Sequence, residues 1–215
     1  MRLQRLVRPS TAPPGEQHLL VLLHGLGSDE KDLFSFSSQL DSRLVVVSLR
    51  APGKHLYGGY RWFDLDIRGG KAECDIREAT ANLEILKEEG AQLQVEHSIA
   101  AERTIWGGFS QGAIMTLALG LARPDLMGGL LLLSGATLPE LTPKTSPGFE
   151  GMQVLVQHGL YDTTLPLALG RQVAEACTRF GGVTQYMEYP MGHGVSQESL
   201  NGVDEWLNAR LQPAG

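Results

Sequence analysis

Cysteine is scarce in this sequence. Its 215 residues include two, Cys74 and Cys177, far apart along the chain. Two lone cysteines build no disulfide framework and no metal-ligand pair of motif spacing, and they suit a cytoplasmic protein with reduced thiols. Basic charge is in deficit as well. Eighteen Lys and Arg stand against 24 Asp and Glu, a formal net charge of −6, and the basic residues form no long run. That balance argues against a nucleic-acid partner and against a membrane surface bound through anionic lipid. Long apolar runs are missing too. The opening, MRLQRLVRPSTAPPGEQ, is Arg-rich, yet no apolar stretch of signal-peptide length follows it. The most apolar segments elsewhere are only of strand length, so no stable membrane insertion is expected. There is no internal repeat and no low-complexity tract. The length suits one domain, residues 1–215, with a sizeable core.

What is present is an alternation. Short apolar runs recur at His18–Leu23, Arg43–Leu49, Thr104–Gly108, Gly128–Gly135 and Met152–Gly159, and a more alternating one at Val183–Pro190. Runs this short, most of them ending at Gly, fit strands buried on both faces of a parallel sheet. Val183–Pro190 fits a strand nearer the edge, and LQRLV near the start is a candidate outer strand. Between the runs lie helical patterns: DEKDLFSFSSQL, DIREATANLEILKEEG, QGAIMTLALGLARPD, LALGRQVAEACTRFGG and SQESLNGVDEWLNARL. In the second, Ile76, Ala79, Leu83 and Leu86 form one stripe, and Glu-Glu-Gly90 reads as its stop. The order predicts an α/β fold with a mostly parallel central sheet, helices on both faces and no large cap domain. Ligands in such sheets bind beyond the carboxyl ends of the strands.

Two stretches break the alternation. Arg50–Cys74 is long, Gly-rich and carries Tyr57, Tyr60, Trp62 and Phe63. Its aromatics either wall a pocket or pack against the sheet, and the sequence leaves both readings open. Ala136–Met152 is rich in Pro and Thr and reads as a plain connection.

The chemistry concentrates after the runs. Gly108-Phe109-Ser110-Gln111-Gly112 matches G-x-S-x-G, with an apolar strand before it and an apolar helix after it. In that setting the glycines permit a sharp strand-to-helix turn that projects the Ser110 hydroxyl. A serine hydroxyl needs a general base, and the base needs a carboxylate to orient it. In chain order the acid and the histidine follow the serine. Asp162, in VQHGLYD, and His193, in EYPMGHG, occupy those places. His24 and His158 read as turn or hydrogen-bonding histidines, and His18, His55 and His97 as surface or loop residues. Asp64 and Asp66 lie upstream of Ser110, Asp125 reads as a helix-end cap or a surface residue, and Ser134 lacks the glycine two residues before it. The oxyanion donors expected are the backbone N–H groups of Gln111 and of Leu26, the latter in LLHGLGSDE.

LLHGLGSDEKDL, RWFDL, GGFSQGAIMTLALG, LLLSG, VQHGLYD and EYPMGHGVSQESL together resemble the carboxylesterase / acyl-protein thioesterase family of small α/β-hydrolases, from about Leu19 to Leu207. The resemblance implies an α/β-hydrolase fold, with Ser110 as nucleophile, Asp162 as acid, His193 as base, and Leu26 and Gln111 as oxyanion donors. It also implies a pocket-wall role for Trp62 and Leu65. Leu26, Trp62, Leu65 and Leu165 imply an apolar site. Many members carry Ser where Arg61 stands, and a further glycine where Ala113 stands. The expected activity is hydrolysis of short- to medium-chain carboxylic esters, small molecules, with no cofactor and no metal. Acyl-protein thioesterase or lysophospholipase activity is the alternative within hydrolases, and a non-catalytic binding protein on the same scaffold is the alternative outside them. The resemblance admits a homodimer.

Overall fold

The computed structural model describes residues 2–68 and 71–211; Gly69 and Gly70, inside the long Gly-rich stretch, lie outside them. In chain order its strands and α-helices are β1 (Arg5–Arg8), β2 (His18–Leu23), β3 (Leu44–Leu49), β4 (Gly53–Lys54), β5 (Tyr60–Arg61), β6 (Leu65–Arg68), β7 (Lys71–Cys74), α1 (Ile76–His97), β8 (Thr104–Phe109), α2 (Gln111–Ala122), β9 (Gly129–Leu133), β10 (Gln153–Gly159), α3 (Leu167–Arg179), β11 (Val183–Tyr189) and α4 (Gln197–Asn208). Seven strands form the central sheet in the order β1-β3-β2-β8-β9-β10-β11. β1 pairs antiparallel with β3, and the other pairings of this sheet are parallel. β4 with β5, and β6 with β7, form two small antiparallel hairpins in the long stretch before α1.

Period-two alternation explains why the central strands are apolar throughout. Leu19, Val21 and Leu23 of β2 face a core completed by Leu83 and Leu86 of α1, Met115 and Leu119 of α2, and Val173 of α3. Leu20 and Leu22 face the opposite core, closed by Leu200, Val203 and Trp206 of α4. A strand covered on both faces has no solvent side to carry polar residues. The two edge strands show the contrast, since β1 and β11 each leave residues exposed.

The fold departs from expectation at three points. DEKDLFSFSSQL forms a 3₁₀ segment, Leu33–Gln39, and not an α-helix. Its serines compete for backbone groups, as Ser35 Oγ does by donating to Asp32 O at 2.6 Å. α1 does not stop at Gly90 but continues to His97. Gly90 is there because a Cβ would sit 3.0 Å from the Trp106 ring; close packing, and not termination, requires it. The helix ends instead at Ser98, in the left-handed region at φ 55°. His18, expected at the surface, is buried at the start of β2.

The sheet also fixes where ligands meet it. From β2 the chain passes to β3 on one side and later returns to β8 on the other. The loops after β2 and β8 therefore diverge at the carboxyl edge of two adjacent strands, a topological switch point.

Candidate active site

Ser110 sits at that switch point, between β8 and α2. Its backbone is at φ 54°, ψ −117°, a combination that a side-chain-bearing residue holds only where its surroundings impose it. The imposition comes from both flanks. Ser110 N–H donates to Leu133 O at 2.9 Å, and Ile114 N–H donates to Ser110 O at 3.1 Å. Gly108 and Gly112 supply the room. A Cβ on Gly108 would fall on the backbone of Gly112, and one on Gly112 would fall on the Leu23 carbonyl oxygen. Helix, turn and strand thus touch through bare backbone. Gly112→Ala is expected to destabilise the fold by about 3 kcal/mol, at the upper end of ordinary overpacking, and to lower the melting temperature by roughly 6–12 °C. Thermal and urea unfolding read it directly. A loss under about 1 kcal/mol would mean that α2 moves freely off β2.

Asp162 and His193 reach Ser110 from the next loops along the sheet. Leu160 N–H donates to Tyr189 O at 2.8 Å and Tyr161 N–H to Met191 O at 3.0 Å, so the loops after β10 and β11 are laced together. Asp162 Oδ1 accepts the N–H groups of Thr164 (2.9 Å) and Leu165 (2.8 Å). Its Oδ2 lies 2.7 Å from His193 Nδ1. A carboxylate only accepts, so Nδ1 carries the proton and Nε2 is left as an acceptor. Ser110 Oγ lies 2.9 Å from that Nε2. The Asp162 side chain is fully buried, and that of His193 is 18% exposed, so the histidine meets both the carboxylate and the solvent side. The Phe109 ring packs 4.9 Å from the His193 ring. His158, fully buried, adds a second imidazole beneath the carboxylate: its Nε2 is 2.7 Å from Leu165 O and 3.4 Å from Asp162 Oδ2. It is the hydrogen-bonding histidine its position implied.

The N–H groups of Leu26 and Gln111 have no acceptor among the described residues, and Gln111 opens α2, where helix N–H groups are unpaired by geometry. The Gly25 Cα region packs against Ser110, since a Cβ there would lie 3.4 Å from Ser110 Cβ. Leu26, Leu65 and Leu165 are half-buried, compatible with lining a site. Trp62 is a correction. Its side chain has no exposed surface and lies in the core on the α1–α3 side of the sheet, so it supports the site from beneath and does not wall it. Of the two open readings of the long stretch, the packed one holds for Trp62 and Phe63. The Gln111 side chain, for which the sequence suggested no use, grips that stretch: Oε1 accepts Trp62 N–H and Nε2 donates to Phe63 O, both at 2.8 Å. Asn82 Nδ2 donates to Trp62 O at 2.6 Å. Asn82 had a signal in the sequence, a polar residue on the apolar stripe of α1. Among the described residues, no group of three His, Cys, Asp or Glu side chains gathers as a metal ion would need.

Comparison with known proteins bears on this geometry. A family model described as Phospholipase/Carboxylesterase matches residues 8–211. The chain belongs to this family. An acyl-protein thioesterase 1 of Gibberella zeae is 28% identical over 238 residues, covering 96% of this chain and 97% of that protein. A probable carboxylesterase SOBER1-like of Arabidopsis thaliana is 28% identical over 211 residues, covering 90% of this chain and 79% of that protein. The crystal structure of esterase PE8 superposes with a TM-score of 0.86 at 24% identity, covering 97% of this chain and 99% of that one; this likeness speaks to the fold alone. The fold is that of the α/β-hydrolases, and membership of the phospholipase/carboxylesterase family makes the chain a hydrolase of ester bonds.

Arg61, where the resemblance implies serine in many members, has a structural account. Arg61 Nε donates to Glu78 Oε2 at 3.2 Å, and the same oxygen accepts Asp64 N–H at 2.6 Å. Arg61 Nη1 also donates to Lys54 O at 2.6 Å. It thereby ties the β4–β5 hairpin to the first turn of α1. No helix among the described residues is long and apolar enough to cross a membrane.

Proposed function

We propose that this member of the phospholipase/carboxylesterase family is a serine carboxylesterase acting on short- to medium-chain esters. The observation that carries the reading is the unbroken line of hydrogen bonds Ser110–His193–Asp162. In the proposed reaction His193 Nε2 takes the Ser110 proton as Oγ attacks the ester carbonyl carbon. Asp162 holds the imidazole in the correct tautomer and stabilises the imidazolium. The N–H groups of Leu26 and Gln111 receive the oxyanion as it forms. The tetrahedral intermediate collapses, the C–O bond to the alcohol breaks, and His193 returns its proton to that alcohol. Water, deprotonated by His193, then attacks the acyl-enzyme, and the carboxylic acid leaves with Ser110 regenerated. Every step uses protein groups and water, and needs no cofactor.

Half-buried Leu26, Leu65 and Leu165 support an apolar acyl or alcohol site. A thioester substrate is the second reading, favoured by the Gibberella zeae relative named acyl-protein thioesterase 1. The same line of residues serves both, because each is acyl transfer to water. A reducing compartment such as the cytoplasm fits the two free cysteines; burial pushes the Cys177 thiol up to about 12. The test is hydrolysis of p-nitrophenyl esters from acetyl to palmitoyl, with a palmitoyl thioester alongside, and fluorophosphonate labelling followed by peptide mapping. A short-chain optimum and a single adduct on Ser110 are expected. Activity confined to the palmitoyl compounds would replace the carboxylesterase reading with the thioesterase one. An adduct elsewhere would remove Ser110 from its role.

A further inference from the structure

We propose that Trp62, gripped by the Gln111 side chain at one end and bonded to the His24 carbonyl at the other, is the strut that sets the spacing of the two oxyanion donors. The inference rests on the hydrolase reading above, which gives Leu26 and Gln111 N–H that role. The connection runs without a gap from one donor to the other. Gln111 carries the first N–H on its backbone, and its side-chain amide holds both Trp62 N–H and Phe63 O at 2.8 Å. Asn82 Nδ2 donates to the Trp62 carbonyl at 2.6 Å, so both backbone polar groups of Trp62 are held. The Trp62 indole Nε1–H then donates to His24 O at 3.0 Å. His24 completes the line. Its Nε2 accepts Ala51 N–H at 3.1 Å, which leaves the ring proton on Nδ1, 2.7 Å from Gly25 O.

That last contact reaches the second donor through covalent geometry. Gly25 C=O and Leu26 N–H belong to one planar peptide unit and point in opposite directions. Holding the carbonyl therefore aims the N–H. Burial also depresses the His24 pKa, and the neutral ring is the form that this bonding pattern requires. Trp62, His24, Gln111 and Asn82 are all buried, so water does not compete for these bonds and a lost partner is not replaced. Trp62 and His24 rings lie 5.7 Å apart, which keeps the strut short. None of these side chains reaches the reacting atoms, so all four are positioning residues. A donor displaced by about 1 Å costs on the order of a hundredfold in rate, because its hydrogen bond matters only where the charge develops.

The experiment compares wild type, Trp62→Phe and Gln111→Met, each normalised to active sites titrated with a fluorophosphonate. Trp62→Phe removes the indole donor while keeping an aromatic ring in the core; Gln111→Met removes both amide contacts while keeping the backbone N–H. Each variant is expected to lose about ten- to a hundredfold in kcat per titrated site, with KM within about twofold and the acidic limb of the pH profile unmoved. The decisive readout is the ratio of kcat/KM for an ester and its thionoester. Sulfur is a poor acceptor for oxyanion donors, so a distorted pair of donors lowers the ester rate far more than the thionoester rate, and the ratio falls by the same factor as kcat. A merely structural defect lowers both rates together. Full kcat per site in either soluble variant, or an unchanged ester-to-thionoester ratio, overturns the strut. Should Trp62→Phe not fold, Gln111→Met tests the same line from its other end. A wild type that neither hydrolyses esters nor takes the label overturns the hydrolase reading itself, a result separate from any difference between variants.

Discussion

Ser110→Ala is expected to lower kcat by about 10⁵-fold or more, with KM little changed. Removal of the nucleophile in a serine hydrolase removes the covalent route altogether, and what survives is binding plus any oxyanion stabilisation of direct water attack. The local structure supports a clean comparison. The strained turn is held by Ser110 N–H on Leu133 O and by the bare backbone of Gly108 and Gly112, and none of these contacts uses the hydroxyl. Alanine fits the same backbone, and the one partner lost is His193 Nε2, on a side chain exposed enough for water to satisfy it. The folding free energy should therefore change by about 1 kcal/mol or less. Steady-state kinetics on a p-nitrophenyl ester, with the unfolding midpoint measured on the same preparation, tests both halves. Residual activity above about one per cent of wild type, in protein shown by mass to be fully substituted, would mean that Ser110 is not the nucleophile.

Much of this site is legible in the sequence because it obeys local rules. β2 appears as HLLVLL with its bounds intact, since a strand buried on both faces has to be apolar at every position. Ser110 is marked by glycines whose need is steric and short-range. Asp162 and His193 follow from chain order, and the structure brings them to within hydrogen-bonding distance of each other and of Ser110. What escapes the sequence depends on contacts between distant segments. Gly90 has the form of a helix stop and serves as a seat for Trp106. Trp62 lies in a stretch with no period, so nothing in the sequence says whether its ring turns inward; the partners that draw it in are Gln111, Asn82 and His24, 20 to 49 residues away. The Gln111 side chain escapes for a related reason. In G-x-S-x-G its position is occupied for the sake of its backbone N–H, and its amide finds a use only after the long stretch has packed across α2.

Asp162→Asn is the more discriminating of the two large effects, because it keeps the shape of the side chain while turning one accepting oxygen into a donor and removing the charge. Asp162 Oδ1 accepts two backbone N–H groups, Oδ2 accepts His193 Nδ1–H, and His158 Nε2 lies 3.4 Å from the same Oδ2. Asparagine cannot meet all of these. If its oxygen stays on the Thr164 and Leu165 N–H groups, its NH₂ faces His193 Nδ1. The imidazole must then become an acceptor there and carry its proton on Nε2, where it can no longer accept the Ser110 proton. If the amide flips, NH₂ confronts two backbone donors, and the turn after β10 loses the hydrogen bonds that shape it. The first arrangement keeps the fold and forfeits the base. We therefore expect kcat to fall about 10⁴-fold at neutral pH, with KM within a few-fold and fluorophosphonate labelling of Ser110 slowed in parallel. Asp162→Ala separates the cause. It leaves His193 free to choose its tautomer, and so should retain more activity per folded molecule than Asp162→Asn if the wrong tautomer is the main damage. Equal losses in the two variants would assign the effect to the missing negative charge, and a loss under about tenfold in both would place the orienting carboxylate elsewhere.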